Sequence, residues 1–206
     1  MRLHYLPGTA AMAPHATLAE IGVPYELVRV ERDADGRPSG AYLALNPWGK
    51  IPTLEDGDLV LTESAAICLH LADKYPDARL APPVGSPERP ELYRWLLWLS
   101  NTVQMTQMRH FYPHRYGTEG VKELADAELH EHHARIDAHL AGRDWFVGDE
   151  RSVADEPLAA GEVRVEPVVV AVQLRVRRFL DTLALGVESG ASGRAGPCSS
   201  VHSNQR

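Results

Sequence analysis

The hydrophobic period of this chain changes at a cluster of prolines, and that change limits what it can fold into. Five prolines fall at positions 76, 82, 83, 87 and 90, a composition that ends regular elements and reads as a linker. Before it, strand-like and helix-like patterns alternate. Residues 3–6 form a short apolar run suited to a strand, and a helical stretch follows that stops at Gly22 and Pro24, the Gly-then-Pro ending of a helix. Residues 25–30 alternate with period two and read as a second strand. This β-α-β order predicts a parallel pair joined by a helical crossover. After an irregular stretch, residues 51–54 and 59–61 flank Glu55-Asp56-Gly57-Asp58, where Asp-Gly marks a hairpin turn. A helix over residues 63–75 ends at Pro76. The first 76 residues therefore predict a small mixed sheet with helices.

Beyond the linker only helical spacing remains. Leu92, Trp95, Leu96, Leu99 and Val103 recur at three- and four-residue steps, and a further helix is predicted over residues 121–140. The expected organisation is an α/β domain over 1–76, a linker over 77–90 and an all-α domain over 91–155. With 206 residues, 44% apolar and 24% charged, the chain has enough length and apolar content to bury a core. Its net charge of -7 argues against nucleic acid as a partner. No apolar run approaches the roughly 20 residues of a membrane helix, and no signal-peptide stretch follows Met1. No membrane association is expected, and the expected location is cytoplasmic. Cys68 and Cys198 are the only cysteines, which excludes a disulfide scaffold and a Cys-rich zinc site.

A second change falls near Asp155. Of 14 aromatic residues only Phe179 lies beyond it, and the last lysine is Lys122. Residues 156–206 carry a net charge of +1 against -8 for the rest. This atypical tail predicts one helix near residues 170–185, followed by disorder over the last twenty Gly-, Ser- and Ala-rich positions. A shifted reading frame or a foreign segment beginning just after residue 155 would account for the break.

Two stretches carry chemistry. In Asn46-Pro47-Trp48-Gly49-Lys50-Ile51-Pro52-Thr53, a proline opening a strand suggests a cis peptide bond, which would turn the main chain of Ile51 toward an extended peptide ligand. The plainer alternative is an edge strand protected by Pro52. Ten residues on, Thr62-Glu63-Ser64 precedes a helix. Thr62 suits an N-cap, free amides and the Ser64 hydroxyl suit a carboxylate, and Glu63 suits an ammonium group. Here the alternative is an ordinary helix with an acidic first turn.

In that order and spacing, the two stretches resemble the glutathione transferase family. Tyr5-Leu6-Pro7-Gly8 and Ala13-Pro14-His15 are similar to its bacterial beta-class-like members, and Gly148 with Ser152-Val153-Ala154-Asp155 is similar to the family's capping box. The resemblance runs from residue 1 to about 155. It implies a thioredoxin-like first domain, an all-helical second domain and a homodimer. It also implies a cytoplasmic detoxification enzyme that attacks small electrophiles with the thiolate of glutathione, its co-substrate. By resemblance, Ile51 and Pro52 would pair with the cysteinyl part of glutathione, and Glu63 and Ser64 would hold its γ-glutamyl end. No metal is implied.

The chain departs from that pattern where the thiolate would lie. Beta-class-like members commonly have Cys then Ser after the Pro-Gly-x element, and Ala10 and Ala11 stand here. Thr9 is the hydroxyl left in that turn, with main-chain amides as the alternative donors. Tyr5 on the preceding strand is a further candidate, but its alternation with Leu6 leaves open whether it faces the site or the core. Gln104 stands where the class often has a histidine, and it can donate a hydrogen bond but cannot titrate. A mixed disulfide through this turn is thereby excluded. A non-catalytic binding or interaction protein is the alternative function. His130-Glu131-His132-His133 lacks the fifth-position histidine of a zinc helix and reads as a solvated polar face. Cys68 reads as a buried thiol, and Trp95 and Trp98 as packing between the domains.

Overall fold

The structure, a computed structural model, describes residues 1–117 and 119–156. Four strands, β1 (Arg2–Tyr5), β2 (Glu26–Arg29), β3 (Thr53–Asp56) and β4 (Leu59–Thr62), form one sheet in the order β2-β1-β3-β4. The β1·β2 pair is parallel, and β3 runs antiparallel to both β1 and β4. The crossover is α1 (Met12–Ile21), closed by Gly22 at φ 76° with its N–H returned to the Leu18 carbonyl. That is the left-handed cap that the Gly-then-Pro ending predicts. The strand expected to begin at residue 51 begins at Thr53, because Pro52 has no N–H to give to a ladder.

Two local readings are corrected. The stretch taken as irregular contains a short helix, α2 (Gly40–Leu45), whose N-cap Ser39 accepts the Tyr42 N–H at 3.4 Å. Six residues are too few to show a helical period. In the helix after β4, α3 (Ser64–Lys74), the N-cap position is taken not by Thr62 but by Glu63, whose side chain makes no cap bond. Thr62 is held in the hairpin ladder opposite Thr53, so the turn into the helix falls one residue later.

Beyond the proline cluster, α4 (Arg89–Trp98) runs through a π-helical segment (Leu99–Val103) into α5 (Gln104–Phe111), and α6 (Val121–Leu140) lies against α5. Helix α4 starts one residue before Pro90, which occupies the first turn where its missing N–H costs nothing. Arg89 is buried and donates to both carboxylate oxygens of Asp73 at 2.8 and 2.9 Å and to the Pro82 carbonyl at 2.9 Å. This fork fastens the proline-rich segment between α3 and α4.

Two apolar clusters result. Leu3, Leu18, Leu54, Ile67 and Leu71 join the sheet to α1 and α3. Ala13, Cys68 and Ala72 from the same two helices join Leu92, Trp95, Leu96, Ile136, Phe146 and Val153 of the helical half. Trp95 meets Trp98 edge-on at 5.5 Å and Phe146 at 4.9 Å, as core aromatics do. Cys68 is buried, and the Thr17 hydroxyl lies 3.5 Å from its sulfur. Asp155 closes the last described turn. It accepts the Ser152 N–H and hydroxyl at 2.9 and 3.0 Å and the Phe146 N–H at 3.1 Å. Next to it Glu156 is fully buried, and burial pushes its carboxyl up to about 8 against the pull of Arg151. Arg151 also pairs with Glu20 of α1 at 3.0 Å. The helix expected near residues 170–185 and the disorder expected after it lie outside the described residues.

The histidine run is not a solvated face. His130 and Glu131 are exposed, but His132 packs edge-on to Trp98 at 5.4 Å and His133 is 1% exposed. Ala125, Leu129, His133 and Ile136 share the buried stripe of α6, a spacing of four, four and three that puts His133 on the apolar side. Neither ring nitrogen of His133 has a hydrogen-bond partner among the described residues, and burial lowers its pKa from 6.5. The folded imidazole therefore stays neutral where the unfolded one takes a proton, so stability falls as pH drops through about 6.5. We expect His133→Leu to stabilise the protein by about 1–2 kcal/mol at pH 7.5. Urea unfolding at pH 7.5 and 5.5 should also show a smaller loss on acidification in the variant than in the wild type.

Candidate functional site

The ladders bring three of the expected site residues to one end of the sheet. In the β1·β3 ladder His4 lies opposite Thr53, and in the β3·β4 ladder Thr53 lies opposite Thr62. The ladders end at these pairs, and Tyr5, Pro52 and Glu63 are the next residues along the chain at that same end of the sheet. At a strand spacing of about 4.8 Å, the three adjacent strands span about 10 Å there. Tyr5 shares the face of Leu3, toward α1 and α3, while His4 faces the other way and packs on Tyr42 with ring centroids 5.6 Å apart. The sequence left that face undecided, and the buried Leu3 decides it.

The Ile51-Pro52 peptide bond is cis, as the position of the proline suggested. Ile51 is half-buried, and among the described residues neither its N–H nor its C=O has a hydrogen-bond partner. The loop before it is shaped by Gly49, whose φ is 62° and whose absent Cβ would meet Leu43 Cδ2 at 3.2 Å and Pro38 Cγ at 3.4 Å. Only glycine takes both that backbone and that approach without strain. The Lys50 carbonyl accepts the Asn46 Nδ2 at 2.8 Å and the Tyr42 hydroxyl. Sequence reading missed Tyr42, Asn46 and Thr53. An Asn-Pro pair was visible, but a buried tyrosine in a six-residue helix gives no signal of its own.

Glu63 is exposed at φ 67° and ψ 112°, and its side chain makes no capping bond. A non-glycine residue there is costly, and such strain gathers at sites that use it. Glu63, the start of α3 and the half-buried Ser64 follow directly on Thr62, at the end of the sheet where Thr62 pairs with Thr53.

Thr9 occupies the turn before α1. Its hydroxyl donates to the Leu6 carbonyl at 2.7 Å and accepts the Ala11 N–H at 3.4 Å. Helix α1 starts with no side-chain cap. The Met12 N–H goes to the Thr9 carbonyl at 3.0 Å and Pro14 has no N–H to offer, so the positive end of the helix dipole, more than any free amide, faces the turn. Tyr5 is half-buried, and its hydroxyl has no hydrogen-bond partner among the described residues. His15, half-buried in α1, has its pKa lowered by burial. Gln104 lies where the π-helical segment passes into α5, half-buried, and the sheet ladders do not bring it to the row of Tyr5, Pro52 and Glu63. Among the described residues no three His, Cys, Asp or Glu side chains gather to hold a metal, and no helix is long and apolar enough to cross a membrane.

Residues 1–73 match the glutathione S-transferase N-terminal domain. The glutathione S-transferase GST-4.5 of Xanthomonas campestris pv. campestris is 34% identical over 160 residues, which cover 75% of this chain and 78% of that protein. The chain belongs to the glutathione S-transferase family. A bacterial beta class glutathione S-transferase from Sphingomonas chungbukensis superposes with a TM-score of 0.73 at 30% identity, covering 93% of this chain and 96% of that one. A sphingomonad glutathione S-transferase complexed with glutathione gives 0.75 at 29% identity, covering 94% and 100%. The mixed sheet with its helices is therefore the thioredoxin-like domain of this transferase family, followed by its helical domain.

Relief of the strain at Glu63 is measurable: Glu63→Gly should raise stability by about 1 kcal/mol by removing the penalty of a side chain at positive φ, which urea unfolding of variant and wild type would check.

Proposed function

We propose that this chain is a glutathione transferase that joins the glutathione sulfur to small electrophilic carbons. The row of Tyr5, Pro52 and Glu63 carries the reading. Its span of about 10 Å matches an extended tripeptide at about 3.3–3.6 Å per residue. Ile51 offers an unpaired N–H and C=O to the cysteinyl residue, next to Pro52. Glu63 offers a carboxylate to the γ-glutamyl ammonium, and Ser64 with the α3 amides offers donors to the γ-glutamyl carboxylate. The thiol loses its proton to solvent. The thiolate then attacks carbon, forming the C–S bond as the leaving group departs with the bonding electrons.

Of the two hydroxyls proposed to face the thiolate, Thr9 already gives its proton to Leu6 and holds the turn. Tyr5 has its proton to give, and the start of α1 adds its dipole. Gln104 supplies a non-titrating hydrogen bond from the helical half. The active assembly is a homodimer, supported by family membership and by the side chains of Trp48, Leu59 and Val60, which are exposed. The enzyme works in the cytoplasm, where thiols stay reduced. Light scattering on the eluted protein should give twice the chain mass of 22.7 kDa.

A melt with and without glutathione tests binding. At a hundredfold excess over Kd, glutathione should stabilise the fold by about 2.7 kcal/mol. Turnover of an activated aryl chloride tests catalysis. An upward shift without turnover would favour a binding protein, the reading to which Ala10, Ala11 and the engaged Thr9 hydroxyl point, and no shift would sink both. If Tyr5 stabilises the thiolate, Tyr5→Phe should raise the apparent pKa of the kcat/KM profile by about one unit, the worth of one hydrogen bond to a charged atom. Loss of rate should be greatest at low pH and vanish as pH rises.

A further inference from the structure

Behind the Ile51 loop, Tyr42, Asn46, Thr53 and the Lys50 carbonyl form a closed hydrogen-bond circuit, and none of the four is assigned a contact with glutathione above. Tyr42 is 5% exposed, Asn46 1% and Thr53 0%. The Lys50 carbonyl accepts from Asn46 Nδ2 at 2.8 Å and from the Tyr42 hydroxyl. Thr53 Oγ1 lies 2.8 Å from the Tyr42 hydroxyl and 3.1 Å from Asn46 Nδ2. Asn46 Oδ1 accepts the Trp48 N–H at 3.2 Å.

Counting protons leaves one arrangement. A carbonyl cannot donate, so the tyrosine proton goes to Lys50, and the proton on the Thr53–Tyr42 bond comes from Thr53. The two amide protons of Asn46 go to Lys50 and Thr53, and its oxygen takes Trp48, so its amide orientation is fixed. The buried donors and acceptors of the circuit are satisfied, and such a network is rigid.

The circuit acts on the peptide that follows. Ile51-Pro52 is the one cis bond among the described residues, so Lys50–Ile51 is trans and planar. In that plane the carbonyl of Lys50 and the N–H of Ile51 point in opposite directions. Holding the carbonyl down against α2 therefore aims the Ile51 N–H away from α2, to the side where it has no partner of its own. We propose that Tyr42, Asn46 and Thr53 are positioning residues that preset the Ile51 N–H for the cysteinyl carbonyl of glutathione. This rests on the assignment of Ile51 to glutathione made above. A preset donor binds without first ordering the loop, so the circuit contributes to affinity for glutathione and not to the chemical step.

The test compares Tyr42→Phe, Thr53→Val and Thr53→Ser with the wild type, using glutathione itself in calorimetric titration and in steady-state turnover of an aryl chloride. Tyr42→Phe and Thr53→Val should raise the Kd and KM for glutathione by about threefold to tenfold, as for a lost hydrogen bond. Their kcat at saturating glutathione and their KM for the aryl chloride should stay within twofold of the wild type. Thr53→Ser keeps the hydroxyl and should restore wild-type glutathione binding. Loss of kcat in proportion to a lowered melting temperature, with Thr53→Ser no better than Thr53→Val, would assign the circuit to packing and overturn the proposal. So would variants that bind glutathione as the wild type does. Failure of the wild-type protein to bind glutathione would overturn the Ile51 assignment itself, and this inference with it.

Discussion

Strand β3 is paired on both edges, and much of the site depends on its register. Against β1 it sets His4 beside Thr53, and against β4 it sets Thr53 beside Thr62. A slip of one residue on either side would turn Leu54 out of the core and put the neighbouring side chains in its place. Leu54 is fully buried with Leu3, Ile67 and Leu71, so the slip would cost the transfer of a whole leucine, about 2–3 kcal/mol. Burial at one end of the strand thus fixes which residues meet at the other. Site geometry here is a consequence of core packing.

Helices α1 and α3 have two obligations at once. Adjacent helical residues point about 100° apart, so Ile67 and Leu71 reach the sheet while Cys68 and Ala72 reach the helical half. The side facing the sheet is branched and large. The side facing α4 is small, with Ala13 of α1 opposite Cys68 and Ala72 of α3 in the same cluster, which lets Trp95 and Phe146 fill the space between the two halves. Cys68 needs no reactivity to explain its place.

The sequence showed what repeats and hid what occurs once. An apolar run marked β1, period two marked β2, and the Asp-Gly turn between two apolar runs marked β3 and β4. Helical spacing marked α4 and α6, while Gly22 and Pro76 marked the ends of α1 and α3. The cis bond was legible because a proline stood at the mouth of a strand. Thr62 misled because a good capping residue is recognised by its own chemistry, whereas its conformation was set by a partner strand far away in sequence. His133 misled through its polarity, although its spacing from Ala125, Leu129 and Ile136 was in plain view. Tyr42 and Asn46 could not be read at all. Their role depends on the Lys50 carbonyl, and a backbone atom leaves no trace in composition or period.

Ala10 and Ala11 bring neither a thiol nor a hydroxyl to the turn before α1 and leave Thr9 as its one hydroxyl, and the chemistry tolerates this better than their inertness suggests. A thiol of pKa about 8.5 is about one tenth ionised at pH 7.5, so lowering its pKa by two units raises the thiolate about tenfold. Intrinsic nucleophilicity falls at the same time, by a factor of about 6–10 for a Brønsted slope of 0.4–0.5 over those two units. The two effects nearly cancel, and a strongly titrating partner gains little. What a transferase cannot do without is orientation, where holding the reactants in place contributes far more than either. In this chain the groups proposed to orient glutathione are the main chain of Ile51 and the Glu63 carboxylate, and the first of these follows a Lys50 carbonyl held by the buried Tyr42 and Asn46.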